Sequence, residues 1–304
     1  MECLKVELPG LTLSNPIMPA SGTFGFGFDF TAYYDINILG SIMTKAITLH
    51  ERFGNQTPRI AEVSSGMLNA IGLQNLGVHH AVKEIFPKLK SIYTHKVIAN
   101  VSGSTIDEYV EVIKALNSVD QIGAYEINIS CPNVKEGGMA FSVDEHMASQ
   151  VTKACKAVSE KPIYVKLSPN VTDIVAIAKA VEAAGADAIT LINTLMGMRI
   201  DVNTRKPVLN NIFGGLSGPA IKPVALKMVY QVYKEVSIPI IGMGGIMSKE
   251  DVVEFMMAGA KAVAIGTGNL VNPMICHELI TSLEPYIRSL GYEKIEDIVG
   301  AAHE

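Results

Sequence analysis

Ala184-Gly185-Ala186-Asp187-Ala188 and Ala258-Gly259-Ala260-Lys261-Ala262 are near copies of one short pattern. Each reads as a helix end, a glycine stop, a tight loop and the first residue of an apolar strand, because glycine accepts the left-handed conformation that closes a helix. Upstream of each lies a matching start. Thr172-Asp173 opens the helix that Gly185 closes, and Ser248 with Asp251 three residues on opens the one that Gly259 closes. Thr105 and Glu108 stand at the spacing of a capping box, ahead of Ile106, Tyr109, Val110 and Ile113 on one helical face. Outward from these units, apolar runs recur at residues 17–20, 41–46, 97–101, 124–129, 163–168, 188–193, 239–242 and 262–266. They are continuous rather than alternating, as parallel strands covered on both faces require. With no linker or low-complexity stretch between them, the eight runs predict a (β/α)8 TIM barrel, an α/β fold. One domain is expected over residues 1–304, with an N-terminal hairpin and loop insertions at the C-terminal face.

Composition bounds the function. The chain has 304 residues, enough for one large barrel or two smaller domains, and its 48% hydrophobic and 18% charged content supports a large core. A net charge of −5 argues against nucleic acid or an anionic membrane as partner. Met1-Glu2-Cys3-Leu4-Lys5 carries no apolar signal region, and no apolar run reaches the roughly 18 residues of a membrane span, so the cytoplasm is the expected compartment. Four cysteines (Cys3, Cys131, Cys155 and Cys276) are widely spaced without a Cys-x-x-Cys, which offers no iron–sulfur or zinc ligand set; no metal site is expected. Cys3, Cys155 and Cys276 read as ordinary free thiols.

Cys131 reads differently. It sits in Asn128-Ile129-Ser130-Cys131-Pro132-Asn133, directly after a strand, among small amides and before a helix-breaking proline. A thiol there can act as nucleophile or proton acceptor beside an uncharged polar ligand. Other polar residues also fall at strand C-terminal ends, where barrels build their sites: Lys45, Asn100, Asn128, Lys166 and Asn193-Thr194. A single strand-end lysine often snorkels, but two in step with several asparagines point to a site. Gly242-Met243-Gly244-Gly245 and Gly266-Thr267-Gly268 end the last two strands. Alone, each glycine run is most simply a tight turn. Together, at the two strand ends where barrels frequently hold phosphate, they favour a phosphate-bearing cofactor, and neither completes a Rossmann fingerprint. Phosphate, two lysines and a ring of amides describe an FMN site, with Lys166 near the N1/O2 edge of the ring and Lys45 between cofactor and substrate. Residues 47–76 and 195–218 leave from strand ends and read as excursions that cover the site. His79-His80 reads as a solvated pair, His50-Glu51-Arg52 as a solvated loop, and Met243, Met247, Met256 and Met257 as core filler.

Longer motifs carry a resemblance. Pro19-Ala20-Ser21-Gly22, Lys45-Ala46, the run from Met67 to Asn75, Asn128 to Lys135, Val165 to Asn170, Ile192-Asn193-Thr194, Gly214 to Gly218, Gly242 to Gly245 and Gly266-Thr267 stand in one order along almost the whole chain. In this the chain resembles the catalytic subunits of class 1B, NAD-linked, dihydroorotate dehydrogenases. The resemblance implies oxidation of (S)-dihydroorotate to orotate in pyrimidine synthesis, with Cys131 as base. It implies FMN contacts at Ser21, Lys45, Ala46, Asn100, Asn128, Lys166, Ile192, Gly218, Gly244, Gly245, Gly266 and Thr267. Substrate contacts are implied at Lys45, Asn69, Ile71, Gly72, Leu73, Asn128, Asn133, Asn193 and Thr194. It also implies a partner subunit carrying FAD and a [2Fe–2S] cluster, in a heterotetramer of two catalytic and two electron-transfer subunits that reduces NAD⁺. Thr23 stands where the family leads one to expect Cys, and Leu76 where it leads one to expect Pro. Rival readings are a class 1A-like, fumarate-reducing homodimer, a flavin barrel acting on another dihydropyrimidine, and a non-catalytic FMN-binding scaffold.

Overall fold

The structure is a computed structural model and describes residues 2–130 and 144–303. Its strands, in chain order, begin with β1 (Val6–Leu8), β2 (Leu11–Leu13), β3 (Ile17–Pro19), β4 (Ile60–Val63) and β5 (Gly66–Asn69). Then come β6 (Val97–Val101), β7 (Ile122–Asn128), β8 (Ile163–Lys166), β9 (Ala188–Leu191) and β10 (Leu195–Met198). The last are β11 (Ile200–Asp201), β12 (Lys206–Pro207), β13 (Phe213–Ser217), β14 (Ile240–Met243) and β15 (Ala260–Ile265). Seven of these form one parallel sheet in the order β3-β15-β14-β9-β8-β7-β6. β6, β8, β9 and β14 are buried at every residue, which is why they read as unbroken apolar runs.

Residues 40–47 stand between the two edges of that sheet. On one side Gly40 N donates to Ile17 O at 3.0 Å and Met43 N to Pro19 O at 3.3 Å. On the other, Thr44 N donates to Ile98 O at 3.0 Å, Ile98 N to Ile42 O at 3.0 Å, and Ile47 N to Asn100 O at 2.9 Å. The segment therefore closes the ring, and the fold is the expected (β/α)8 barrel. The expected second strand at 41–46 needs correcting in one respect: it makes isolated parallel bridges, Met43 with Ile98 and Ile47 with Val101, rather than a regular ladder. Two exchanges explain this. Thr44 Oγ1 takes the N–H of Asn100 at 3.2 Å in place of a backbone carbonyl. Lys45 N turns away to Gly25 O at 2.9 Å.

The helix signals are realised with one change. Asp173 caps the helix Ile174–Ala183 by accepting from Val175 N at 2.9 Å and Ala176 N at 3.1 Å. Ser248 and Asp251 make a complete capping box on Lys249–Met257. Gly185 and Gly259 close these helices at φ +97° and +114°, values that side chains with a Cβ resist. At Thr105 only half a box forms: Thr105 accepts from Glu108 N at 3.2 Å, but the Glu108 carboxylate accepts from Ser104 N at 2.6 Å. Helices Ile106–Leu116, Glu145–Val158, Lys222–Tyr233 and Ile275–Ser289 complete the outer ring. Tyr109, Tyr125, Tyr164 and Phe255 are fully buried between helices and sheet. A ring so buried contributes about 1.5–3 kcal/mol.

Two additions flank the barrel. β1 and β2 form the expected antiparallel hairpin, which Tyr164 Oη holds by donating to Pro9 O at 2.5 Å. The two excursions do more than cover: β10, β13, β5 and β4 pair in that order into one antiparallel sheet, with Gly215 opposite Asn69 and Ser217 opposite Met67. Among the described residues no helix is long and apolar enough to cross a membrane.

Candidate active site

The polar residues that interrupt the apolar strands gather at one end of the barrel. Lys45, from the closing segment, is half-buried, and no carboxylate or hydrogen-bond acceptor meets its Nζ among the described residues. Burial, aided by the positive charge of Arg59, holds Lys45 below the ordinary lysine value. An unpaired cation in such a place favours an anionic ligand, since the ligand's charge supplies the missing partner.

The amides expected to bind ligands are brought together. Asn128, at the end of β7, accepts from Asn193 Nδ2 at 3.2 Å and from Ser130 N at 3.3 Å, while Tyr109 Oη fixes its carbonyl at 2.7 Å. Asn193 Oδ1 accepts from Thr194 N at 2.8 Å. Asn170 Nδ2 donates to Thr194 O and to Ser168 Oγ, both at 3.0 Å, which locks the turn after β9. Asn69 reaches this group through β13: its Nδ2 lies 3.4 Å from Gly215 O, and a side chain at position 215 would collide with Thr194 Oγ1.

Deeper in the barrel, Asn100 and Lys166 meet a residue that the sequence reading passed over. Glu126, wholly buried in β7, accepts from Asn100 Nδ2 at 2.5 Å and from Thr190 Oγ1 at 2.7 Å, and lies 3.9 Å from Lys166 Nζ. Its signal was legible: a charged residue inside an apolar strand, two positions before Asn128 and so on the same face. Asn100 Oδ1 is buried and has no partner among the described residues.

The remaining expected contacts line the rim. Ile71, Gly72 and Leu73 lie in the loop after β5, where Gly72 and Leu73 border a cavity of about 350 Å³ with Arg52, Phe53 and Asn55. A second cavity of about 300 Å³ joins Lys45 and Ala46 to Phe26, Phe53, Gln74 and Asn75. Arg52 is less solvated than expected: it donates to Ser104 Oγ at 2.7 Å and pairs with Glu108 at 3.4 Å. Ser21 follows β3, and Ile192 follows β9 with its N–H on Met243 O at 3.0 Å. Gly218 and Gly245 approach so closely that a Cβ on Gly245 would lie 2.8 Å from Gly218 O. Gly244 precedes this contact. Thr267 donates to Ser217 Oγ at 2.8 Å, which ties the end of β15 to the end of β13. At Gly266 an added Cβ would meet no heavy atom within 4 Å, so the missing side chain there leaves space open to a ligand rather than relieving packing. The open position at Gly266 and the unmet acceptor of Asn100 both fit a cofactor with a polar ring and a phosphate.

Cys131 and Asn133 lie outside the described residues. The other three thiols are buried; desolvation raises Cys3, Cys276 and Cys155, the last to about 12, so they remain neutral packing groups. Met243 and Met256 are buried core residues, and His79 is exposed. The two departures noted in the sequence are accommodated. Thr23 donates to Ala20 O at 3.1 Å, and Leu76 is exposed at the rim of the second cavity.

A family model described as dihydroorotate dehydrogenase matches residues 3–287. A protein of Anoxybacillus flavithermus is 58% identical over 300 residues, covering 99% of this chain and 96% of the relative. One of Bacillus pumilus is 58% identical over 297 residues, covering 98% and 96%. One of Listeria welshimeri is 56% identical over 298 residues, covering 98% of each. All three bear the name dihydroorotate dehydrogenase B (NAD(+)), catalytic subunit.

Proposed function

This chain belongs to the dihydroorotate dehydrogenase family, and we propose that it oxidises (S)-dihydroorotate to orotate in de novo pyrimidine synthesis. The observation that carries the substrate reading is Lys45, a half-buried cation without a partner among the described residues, set beside neutral amides. Dihydroorotate is a ring of N–H and C=O groups bearing one carboxylate. Lys45 would take the carboxylate. Asn69, Asn128, Asn133, Asn193 and Thr194 would read the ring edge, with Ile71, Gly72 and Leu73 bounding it. Neutral amides both donate and accept, so they suit a dione edge better than charged groups do.

FMN would be held by Ser21, Lys45, Ala46, Asn100, Asn128, Lys166, Ile192, Gly218, Gly244, Gly245, Gly266 and Thr267, and would supply the hydride acceptor for C6 of the substrate. The fit rests on the open position at Gly266 and the unmet Asn100 acceptor. Lys166 would favour the reduced ring by its charge. Cys131 is assigned the C5 proton: a thiol with an ordinary value near 8.5 can act as base in neutral to mildly alkaline solution. Residues 1–304 would form one FMN-binding domain working in the cytoplasm. Electrons would pass to NAD⁺ through a partner subunit, as the words NAD(+) and catalytic subunit in the relatives' names support; that partner would carry FAD and [2Fe–2S], two copies of each subunit assembling together.

The test of the acceptor is direct. The purified chain should turn over slowly with fumarate alone and should reduce NAD⁺ once an electron-transfer subunit is added. Robust fumarate reduction by the chain alone would replace this assignment with the fumarate-linked homodimer. Tighter binding of uracil than of orotate would move the substrate to a dihydropyrimidine without a carboxylate.

A further inference from the structure

Resting on the FMN reading, we propose that Glu126 is a positioning residue for the cofactor: it sets the amide of Asn100 and balances the cation of Lys166. The argument starts from cost. A buried carboxylate is strongly unfavourable unless donors surround it. Glu126 is wholly buried; its two hydrogen-bond donors come from β6 and β9, and the cation of Lys166 on β8 lies 3.9 Å away. Thr190 on β9 holds one oxygen at 2.7 Å, and Asn100 on β6 holds the other at 2.5 Å. Contacts that span β6 to β9 place the carboxylate inside the barrel.

Two consequences follow for a ligand above it. A carboxylate only accepts hydrogen bonds, so Asn100 must present Nδ2 to Glu126 and turn Oδ1 away. That Oδ1 is the buried atom without a partner among the described residues, and such an atom is unfavourable until a donor arrives. A flavin's pyrimidine ring carries an N–H of the right kind. Lys166 Nζ, at 3.9 Å, is too far from Glu126 for a direct hydrogen bond, so its charge is balanced while its N–H donors stay free among the described residues. Glu126 thereby turns one ambivalent amide into a fixed acceptor and one lysine into a fixed donor.

Glu126→Met separates this role from plain core stability. It keeps a side chain of similar length but removes both accepting oxygens. Asn100 then loses the acceptor that orients its amide and is free to show Nδ2 where Oδ1 was. Lys166 also loses its counter-charge, which favours the reduced, anionic ring. The expected result is oxidised FMN bound roughly tenfold more weakly, about one hydrogen bond. The ratio of reduced to oxidised affinity should rise about tenfold, a potential more positive by about 30 mV for a two-electron couple. Fluorescence titration of the apo chain with FMN and a spectroelectrochemical titration of the loaded chain read the two quantities. Glu126→Asp keeps the charge but withdraws it by one methylene; it should shift both in the same direction by less, and it carries the test if Glu126→Met does not fold. A folded variant of either kind with both quantities within twofold of the parent, even at a lower melting temperature, would overturn the proposal. A parent chain that binds no FMN would overturn the cofactor reading and this inference with it.

Discussion

Lys45→Met gives the sharpest test of the substrate site, because the structure fixes both the direction and the control. Lys45 is half-buried and meets no anion among the described residues, and burial with the nearby Arg59 holds it below its ordinary value. A hydrogen bond to a charged partner contributes about 1.5–3 kcal/mol, so losing one to the orotate carboxylate should raise Kd about 10- to 150-fold. Uracil has the same ring edge without the carboxylate, and its Kd should change less than about threefold. Methionine matches the length of the lysine stem, so packing is largely retained. Flavin content, read from absorbance, should be compared in both proteins so that lost cofactor is not mistaken for lost affinity. The pH dependence has a definite sign. A lysine depressed in the folded protein gives up its proton earlier than in the unfolded chain. Unfolded chains therefore bind more protons across that alkaline window, and the contribution of Lys45 to stability rises with pH there. Orotate affinity should likewise begin to fall at a lower pH than an ordinary lysine would give, and Lys45→Met should abolish that fall. Equal weakening of orotate and uracil, or an orotate Kd within threefold of the parent, would refute the assignment of Lys45 to the carboxylate.

Three further outcomes are expected. Cys131→Ala should bind FMN nearly as the parent does but slow flavin reduction by dihydroorotate roughly 10²- to 10⁴-fold in stopped flow, the usual worth of a general base. Gly266→Ala should leave the apo melting temperature unchanged or slightly raised, since the new Cβ meets no protein atom, yet weaken FMN at least tenfold by titration. Asp251→Asn should lower stability in urea at neutral pH by about 1–3 kcal/mol, because Asp251 pairs with Lys222 at 2.6 Å and accepts from Met247 N and Ser248 N. Burial pushes Asp251 up, but the Lys222 bond and those N–H groups outweigh it and hold the carboxyl below its ordinary value. Its contribution is therefore full above the unfolded carboxyl value and is lost as pH falls through the folded one, so the difference from the parent should close in acid.

Much of the barrel was legible because its signals are local. Glycine stops at 185 and 259, the caps at Asp173 and Ser248, and unbroken apolar runs each depend on a few neighbouring residues. The irregular closure at 40–47 was not legible, because its ladder is broken by Thr44 Oγ1 and by a carbonyl from Gly25, neither of which alters the apolar pattern. Nor was the pairing of β5 with β13, in which Asn69 meets Gly215 across more than a hundred residues of chain. In the site, strand-end asparagines and lysines stood out as polar breaks in apolar runs. Glu126 offered the same break but lies one pleat deeper, below the strand ends where attention falls, and only the contacts from Asn100, Thr190 and Lys166 give it a role.

The central claim concerns chemistry between dihydroorotate and a flavin in this one chain. Anaerobic mixing of the purified, FMN-loaded chain with (S)-dihydroorotate, followed at the flavin absorption band, tests it without any partner subunit. The expected result is bleaching of the band with release of one orotate per flavin. A band that dithionite bleaches and dihydroorotate leaves unchanged would contradict the account.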